Sequence, residues 1–141
     1  MLSVEDRLAI HELINLYAHI IDRQAFSELH IIFTADAVFD LTGFQSGKAY
    51  HGLAEIQSMM ESSTQHPVAH HATNIVINPY LPESSDATQQ NVFVDSKGLG
   101  VGCNGRVGSV VYKDVLLKQN DGQWRVRRRA VQHLTDPGSQ L

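Results

Sequence analysis

The hydrophobic pattern of this chain changes once, close to residue 62, and that change restricts the folds that the chain can adopt. Before it, apolar residues recur at helical spacing, with one short strand-like run between the helical segments. After it come long runs rich in β-branched residues, separated by turn signals. Helices segregated from antiparallel strands predict an α+β domain, in which N-terminal helices and a curved, mixed or antiparallel sheet form a cone that encloses a pocket.

The N-terminal part is predicted to form helices and one strand. Ser3 caps the first helix and acidic residues occupy its first turn, so this helix is expected from residue 3 to about 22. Its apolar residues form one stripe, which includes Tyr17. The remaining elements are a helix at 25–33, a short strand at 37–41 and a helix at 52–62.

The second half is predicted to form an antiparallel meander. Its strands are expected at residues 68–78, 88–96, 106–119 and 124–132, with a polar connection at 82–86 and a frayed tail at 135–141. Residues 100–105 match Gly-X-Gly-X-X-Gly by letter, but a strand follows them where a nucleotide site needs a helix. We therefore interpret this segment as a hairpin loop. Asp121-Gly122 is typical of the tight turn before the last strand.

Composition limits the possible partners. A chain of 141 residues with 43% hydrophobic residues fits one domain, residues 1–141, with a proper core. The net charge of -4, with no acidic or basic block, argues against nucleic acid as the main partner. The single cysteine excludes an intrachain disulfide. Because no apolar signal core or membrane-length run is present, we expect a cytoplasmic protein without a membrane partner.

Residues 66–74 carry three histidines and an asparagine at the start of an apolar strand. Histidine has an unperturbed pKa near neutrality, so the cluster indicates proton transfer; polar side chains at a sheet edge are the alternative. His70 and Asn74 share one strand face, which makes His70 the predicted inward base. His66 is expected at the rim. Because four residues of extended strand span ~13 Å, His66 and His70 are not expected to share a metal ion.

Asp22 is predicted at the C-terminal end of the first helix. A carboxylate there faces the negative end of the helix dipole, an arrangement that usually has a compensating partner or a function. It could hold one ring nitrogen of His70 and leave the other free as a base. The alternative is that Asp22 simply ends the helix in solvent.

The last strand presents two faces with different polarity. Trp124, Val126, Arg128 and Ala130 share the more apolar one, which is expected to point inward. Arg128 would then bind a substrate carboxylate or carbonyl, or balance Asp22. The alternative is that all the arginines of this strand are solvated. Tyr112 and Asp114 share a face of the preceding strand and are interpreted as structural or pocket-rim residues.

From Val4 to Gln132 the chain resembles the SnoaL-like branch of the NTF2-like superfamily. The residues that carry the resemblance are 13–17 running to Asp22, 29–33, 36–39, Gly52 with Ile56, 70–74 and 121–126. Scytalone dehydratases and bile-acid 7α-dehydratases are the most similar functional types. The resemblance implies catalytic roles for Tyr17, Asp22 and His70, a helper role for His66, and a C-terminal arginine at Arg128 or, second in preference, Arg129. A further histidine of the scytalone enzymes has no counterpart in residues 106–118.

The expected function is a dehydratase, a cofactor-independent lyase that acts by general acid/base catalysis on a small cyclic or polycyclic ketone or hydroxy-ketone. Tyr17, Asp22 and His70 are the expected catalytic residues, and His66, Asn74 and Arg128 the substrate-binding residues, without metal or cofactor. Alternatives are an isomerase or polyketide-cyclase-like enzyme with the same base, and a non-catalytic ligand-binding module or dimeric scaffold. A homodimer or higher homo-oligomer is expected, because Ile75, Ile77 and Val131 are placed on an outer sheet face that would need covering.

Overall fold

The computed structural model describes residues 2–64, 66–78 and 91–134. In chain order the elements are α1 (Val4–Asp22), a short 3₁₀ helix (Phe26–Glu28), α2 (Leu29–Ile32), β1 (Phe33–Gly43), β2 (Ala49–His51), α3 (Leu53–Ser62), β3 (Ala69–Asn78), β4 (Asn91–Val101), β5 (Val107–Lys118) and β6 (Trp124–His133). The expected polar connection at 82–86 and the tail at 135–141 lie outside the described residues.

The strands form a mixed sheet in the order β2-β1-β6-β5-β4-β3. The strands from β3 to β6 pair antiparallel in sequence order, as the predicted meander requires. The early strand β1 joins the far side of β6 in parallel and pairs antiparallel with β2. Helices α1 and α3 pack on this sheet, so the predicted α+β class with a curved sheet and covering helices is confirmed.

Helix α1 forms as its sequence pattern predicts. The Oγ of Ser3 accepts a hydrogen bond from the backbone N–H of Asp6 at 3.0 Å, which satisfies one of the free donors of the first turn. The apolar stripe is buried against the sheet, and Ile10, Ile14 and Ile20 are at most 1% exposed. Full burial of one such side chain contributes roughly 1.5–3 kcal/mol, so the stripe anchors the helix. Among the helices of the described residues, none is both long and apolar enough to cross a membrane.

The segment between α1 and α3 differs in detail from the prediction. The expected helix at 25–33 divides into a 3₁₀ turn and the single turn of α2, and β1 begins already at Phe33. The short strand β2 was not predicted, because three residues are too few to show a strand pattern. Helix α3 matches the prediction closely and follows Gly52, whose φ of 87° is a conformation that glycine adopts without strain.

Two bulges shift which residues face the interior. In β3 the register with β4 shifts between Thr73 and Val76, and Asn74 has a φ of 53°. In β6 the partner of Val115 is Arg128 and the partner of Leu116 is Val126, so Arg127 is an extra residue. Since side chains alternate along a strand, one inserted residue inverts the faces of everything beyond it.

The inverted faces overturn three placements made from strand alternation. Asn74 is exposed rather than inward, and Arg128 is exposed while its neighbour Arg129 is fully buried. Residues 75, 77 and 131 pack against the core instead of covering an outer face. The predicted homodimer was based on these three residues forming an outer face, which they do not. The oligomeric state itself stays a prediction.

Candidate active site

A cavity of about 800 Å³ lies between the helices and the inner face of the sheet. Its wall is mainly apolar, formed by side chains such as Phe39, Met60 and Val131. Polar groups interrupt this wall, among them Tyr17 from α1, His70 from β3 and Tyr112 from β5. A largely apolar cavity of this size with few convergent polar groups fits a small cyclic ligand.

Asp22 holds His70 by three contacts. The His70 ring Nδ1 lies 2.6 Å from Oδ1 of Asp22. The backbone N–H of His70 also donates to the same carboxylate, at 2.9 Å to Oδ2 and 3.1 Å to Oδ1. Because an ionised carboxylate can only accept, Nδ1 carries the proton in this contact and Nε2 keeps its lone pair. The pair thus has the arrangement that a general base requires.

The chain fold explains why Asp22 and His70 meet although they are 48 residues apart. Asp22 is the last residue of α1, where the negative helix end disfavours a carboxylate. β3 forms one edge of the sheet built by the described residues, so some of its backbone N–H groups have no strand partner. The N–H of His70 compensates the charge of Asp22, and Asp22 satisfies that edge donor. The side chains of His70 and Asp22 are 13% and 26% exposed, so solvent and ligand can still reach them.

Tyr17 and Tyr112 lie side by side in the cavity wall. Their ring centroids are 6.0 Å apart at 73°, an edge-to-face contact, and both residues are buried. Gly98 of β4 makes room for Tyr112, since a Cβ at Gly98 would lie 2.4 Å from its Cε2. Gly98 is two residues from Gly100, the strand partner of His70, so the hydroxyl end of Tyr112 points to the same part of the sheet.

A buried ion pair supports both tyrosines from behind. The Arg129 guanidinium carbon lies 4.2 Å from the ring centroid of Tyr17 and 4.3 Å from that of Tyr112. Its Nε and Nη2 donate to Asp114 at 2.8 Å and 2.7 Å, with both side chains at most 1% exposed. Burial raises the pKa of Tyr17 and of Tyr112, although the charge of Arg129 opposes this. Both phenols are therefore protonated near neutral pH and can donate hydrogen bonds.

His66 lies at the cavity mouth, with its ring centroid 6.1 Å from that of His70. His66 does not belong to the extended strand on which the ~13 Å spacing was based, because β3 begins only at Ala69, after Pro67. Partial burial, and next the nearby His70, lower the pKa of His66, which favours a neutral ring. Across residues 2–64, 66–78 and 91–134, no group of three or more His, Cys, Asp or Glu side chains is arranged to hold a metal ion.

The structure brings together four of the six residues singled out from the sequence. Tyr17, His66 and His70 line one cavity, and Asp22 lies directly behind His70. Asn74 does not line the cavity, and Arg128 pairs with Asp40 on the exposed side of the sheet. The bulges in β3 and β6 thus place both side chains outside the cavity wall.

Sequence reasoning missed two parts of the site. Tyr112 was interpreted only as a structural or rim residue, and its weak signal was a tyrosine two residues before an acid on one strand face. Arg129 was the second choice for the inward arginine, because regular alternation of β6 places Arg128 inside. No residue pattern in β6 reveals the bulge at Arg127.

Three crystal structures illustrate what this chain is similar to. A proposed aromatic ring hydroxylase from Novosphingobium aromaticivorans is 28% identical, with 96% of this chain and 94% of that chain covered and a TM-score of 0.69. A proposed scytalone dehydratase from the same organism is 21% identical, with coverage of 94% and 86% and a TM-score of 0.71. An NTF2-like protein with a cystatin-like fold, also from N. aromaticivorans, is 20% identical, with coverage of 96% and 86% and a TM-score of 0.67.

The two likenesses at 20% and 21% identity show a shared fold, and the predicted NTF2-like architecture is thereby confirmed. No curated protein matches the chain by sequence. The model of the SnoaL-like domain matches residues 2–130. This range includes helices α1 to α3, strands β1 to β5 and β6 as far as Ala130. With that match across nearly the whole fold, the chain belongs to the SnoaL-like domain family.

Proposed function

We propose that this protein is a cofactor-independent dehydratase, a lyase that removes water from a small cyclic or polycyclic β-hydroxy ketone. The observation that carries the proposal is the Asp22–His70 pair, in which a carboxylate fixes a cavity-lining imidazole through Nδ1. The proposed scytalone dehydratase with the same fold agrees with it but does not define the substrate.

The reaction begins at Nε2 of His70, which takes a proton from the carbon next to the substrate carbonyl. Asp22 stabilises the imidazolium that forms, because its carboxylate already accepts the Nδ1 hydrogen. The electron pair moves into an enolate, and the enolate then expels the hydroxyl group on the β carbon. The imidazolium returns its proton to that hydroxyl, so that water leaves, a C=C bond conjugated with the carbonyl forms, and His70 is neutral again.

The two phenols have the position and protonation state needed to stabilise the enolate. Tyr17 and Tyr112 line the same cavity as His70, and the burial that raises their pKa keeps their hydroxyl groups as donors. Arg129 places a positive charge against both rings, which strengthens the phenols as hydrogen-bond donors toward a developing negative charge. His66 at the mouth lies close enough to help orient the substrate.

The test is to incubate the purified protein with β-hydroxy ketones built on a tetralone ring. Absorbance of the conjugated product follows the rate, and mass spectrometry detects the loss of one water. His70→Ala should abolish turnover. His71→Ala is the matched control, because His71 is the next residue in β3 and is exposed. A product of unchanged mass would indicate an isomerase or cyclase with the same base. Turnover retained in both His70→Ala and Asp22→Asn would contradict the mechanism.

A further inference from the structure

The charge of the cavity wall differs in sign from that of the whole chain. The chain has 15 acidic and 11 basic residues and a net charge of -4. Yet among the described residues no aspartate or glutamate lines the cavity, since even Asp22 lies behind His70. The titratable side chains of the wall that can carry positive charge are His66, His70, His133 and Arg106. Because the described residues place no carboxylate in the wall, these residues do not repel an anionic ligand there.

Arg106 holds the fixed positive charge of this wall. It belongs to the hairpin between β4 and β5, at the cavity mouth. Two hydrogen bonds stabilise the hairpin backbone. The N–H of Gly102 donates to the carbonyl of Arg106 at 2.8 Å, and the N–H of Arg106 donates to Oδ1 of Asn104 at 3.0 Å. The exposed guanidinium makes no hydrogen bond or ion pair with any residue in the described part of the chain. It is therefore available to a ligand.

The other basic side chains in or behind the wall each contact another side chain of the protein. His70 is bound to Asp22, and the lowered pKa of His66 favours its neutral form. The imidazole of His133 lies against Phe44, with ring centroids 5.7 Å apart. Arg129 lies behind the tyrosines and is balanced by Asp114. Among the described residues, Arg106 is thus the cation placed to recognise a charged group of a ligand at the mouth.

We propose that the substrate carries a carboxylate, which Arg106 binds at the cavity mouth while the ring ketone lies deeper, against Tyr17, Tyr112 and His70. The planar guanidinium offers two parallel N–H donors that match the two oxygens of a carboxylate. Binding at the mouth would orient the ring so that the reacting carbon meets His70. This inference rests on the proposed function for the deep end of the cavity, and it adds the substrate class and a specificity-determining residue.

The test measures binding and does not depend on turnover. The probes are a tetralone carboxylic acid, with its carboxyl group on the ring remote from the ketone, and the methyl ester of the same acid. The pair differs in charge and hardly in shape. Isothermal titration at physiological salt should show the acid binding about 3- to 10-fold more tightly than the ester to the wild-type protein, the size of one exposed charge-assisted contact.

Arg106→Gln should remove this preference for the acid, and Arg7→Gln should keep it. Both changes remove one exposed positive charge, but Arg7 lies beside Asp6, which contacts Lys118 and Trp124 at the other end of β5 and β6. The 12 residues of β5 span about 36 Å, well beyond the screening length of roughly 8 Å at physiological salt. His70→Ala should keep the preference for the acid over the ester, because that preference depends on Arg106 alone. Loss of turnover in this variant with the preference intact separates this inference from the proposed mechanism.

Three results would overturn the inference. One is equal binding of acid and ester by the wild-type protein. Another is a preference for the acid that survives in Arg106→Gln. The third is that neither probe binds at millimolar concentration, since the wall then does not accept this ligand class.

Discussion

Two side-chain pairs in this protein each join an aspartate to a basic residue, and they lie in different surroundings. Asp22 and His70 meet where the end of α1 touches the edge strand β3, and their side chains are 26% and 13% exposed. Asp114 and Arg129 meet between β5 and β6 and are at most 1% exposed. The exposed pair can exchange protons with a ligand. In the buried pair Arg129 is held in its charged form, because attraction to Asp114 outweighs the burial that by itself would lower the pKa of Arg129. The surroundings of the first contact are compatible with proton transfer, whereas the second contact holds Arg129 in place behind Tyr17 and Tyr112.

The largest expected effect comes from breaking the buried pair. Arg129→Met should lower the free energy of unfolding by about 3–5 kcal/mol, because it leaves the charge of Asp114 buried and unpaired. Urea denaturation followed by tryptophan fluorescence measures this change. The double variant Arg129→Met with Asp114→Asn should recover part of the loss, since it removes the stranded charge. A loss below about 1 kcal/mol in the single variant would show that the buried pair is not essential to the fold.

A substitution in the exposed pair should reduce activity far more than stability. Asp22→Asn should lower kcat about 100-fold, because the imidazolium of His70 loses its stabilising charge. Its unfolding free energy should change far less than that of Arg129→Met, since solvent screens this contact. Steady-state kinetics with the tetralone substrate and urea denaturation of the same preparation check both halves of the prediction. A strongly destabilised but fully active variant would reverse the distinction between the two pairs.

Gly98 is expected to matter because of the ring that packs over it. Gly98→Ala places a Cβ 2.4 Å from Cε2 of Tyr112, so the ring must move. Overpacking of this kind costs roughly 1–3 kcal/mol of unfolding free energy. Gly108→Ala is the matched control, because a Cβ there meets nothing within 4 Å. Equal stability of the two variants by urea denaturation would mean that Tyr112 is not confined by Gly98.

Tyr112→Phe tests whether the buried pair serves the site through a phenol. The ring remains to pack on Gly98 and Arg129, but the hydroxyl that could donate to an enolate is gone. The expected result is a kcat about 10-fold lower with KM nearly unchanged, which corresponds to one hydrogen bond formed mainly in the transition state. Unchanged kcat would assign Tyr112 to packing alone.

The smallest effect concerns a third carboxylate, Asp6, at the exposed start of α1. Hydrogen bonds from Lys118 and from Trp124 lower the pKa of Asp6 to about 2. Because its folded pKa lies below the ordinary value of 3.8, Asp6 stabilises the fold above about pH 4 and loses this contribution as pH falls toward 2. Urea midpoints of the wild type and Asp6→Asn should therefore differ at pH 6 and converge near pH 2. A constant difference over this range would contradict the assignment.

The sequence predicted the first helix and the contact between Asp22 and His70 better than it predicted the sheet faces. Ser3, the apolar stripe of α1 and the Asp121-Gly122 turn are local signals, and each element formed where its signal stands. Asp22 and His70 were singled out by their chemistry and by the family resemblance. Neither criterion depends on the exact bounds of a helix or strand.

Arg129 and Asn74 could not be placed because each depends on a bulge. A bulge results from competition between local twist and the packing of distant elements, and strand periodicity does not encode it. Beyond one inserted residue, every inward and outward assignment reverses. The placement of Arg128 in the cavity and of Ile75, Ile77 and Val131 on the surface failed for this single reason.

The hydrogen bond from the backbone of His70 to Asp22 has a consequence for how copies of this chain can associate. An edge strand is open to pairing with a strand of another molecule, and the free N–H groups are what such a strand would use. At His70 that N–H group already donates to Asp22, the residue that also contacts the imidazole ring. A neighbour that extended the sheet along this part of β3 would have to draw the N–H away from Asp22. Edge-to-edge assembly at this point and a correctly oriented base therefore exclude one another.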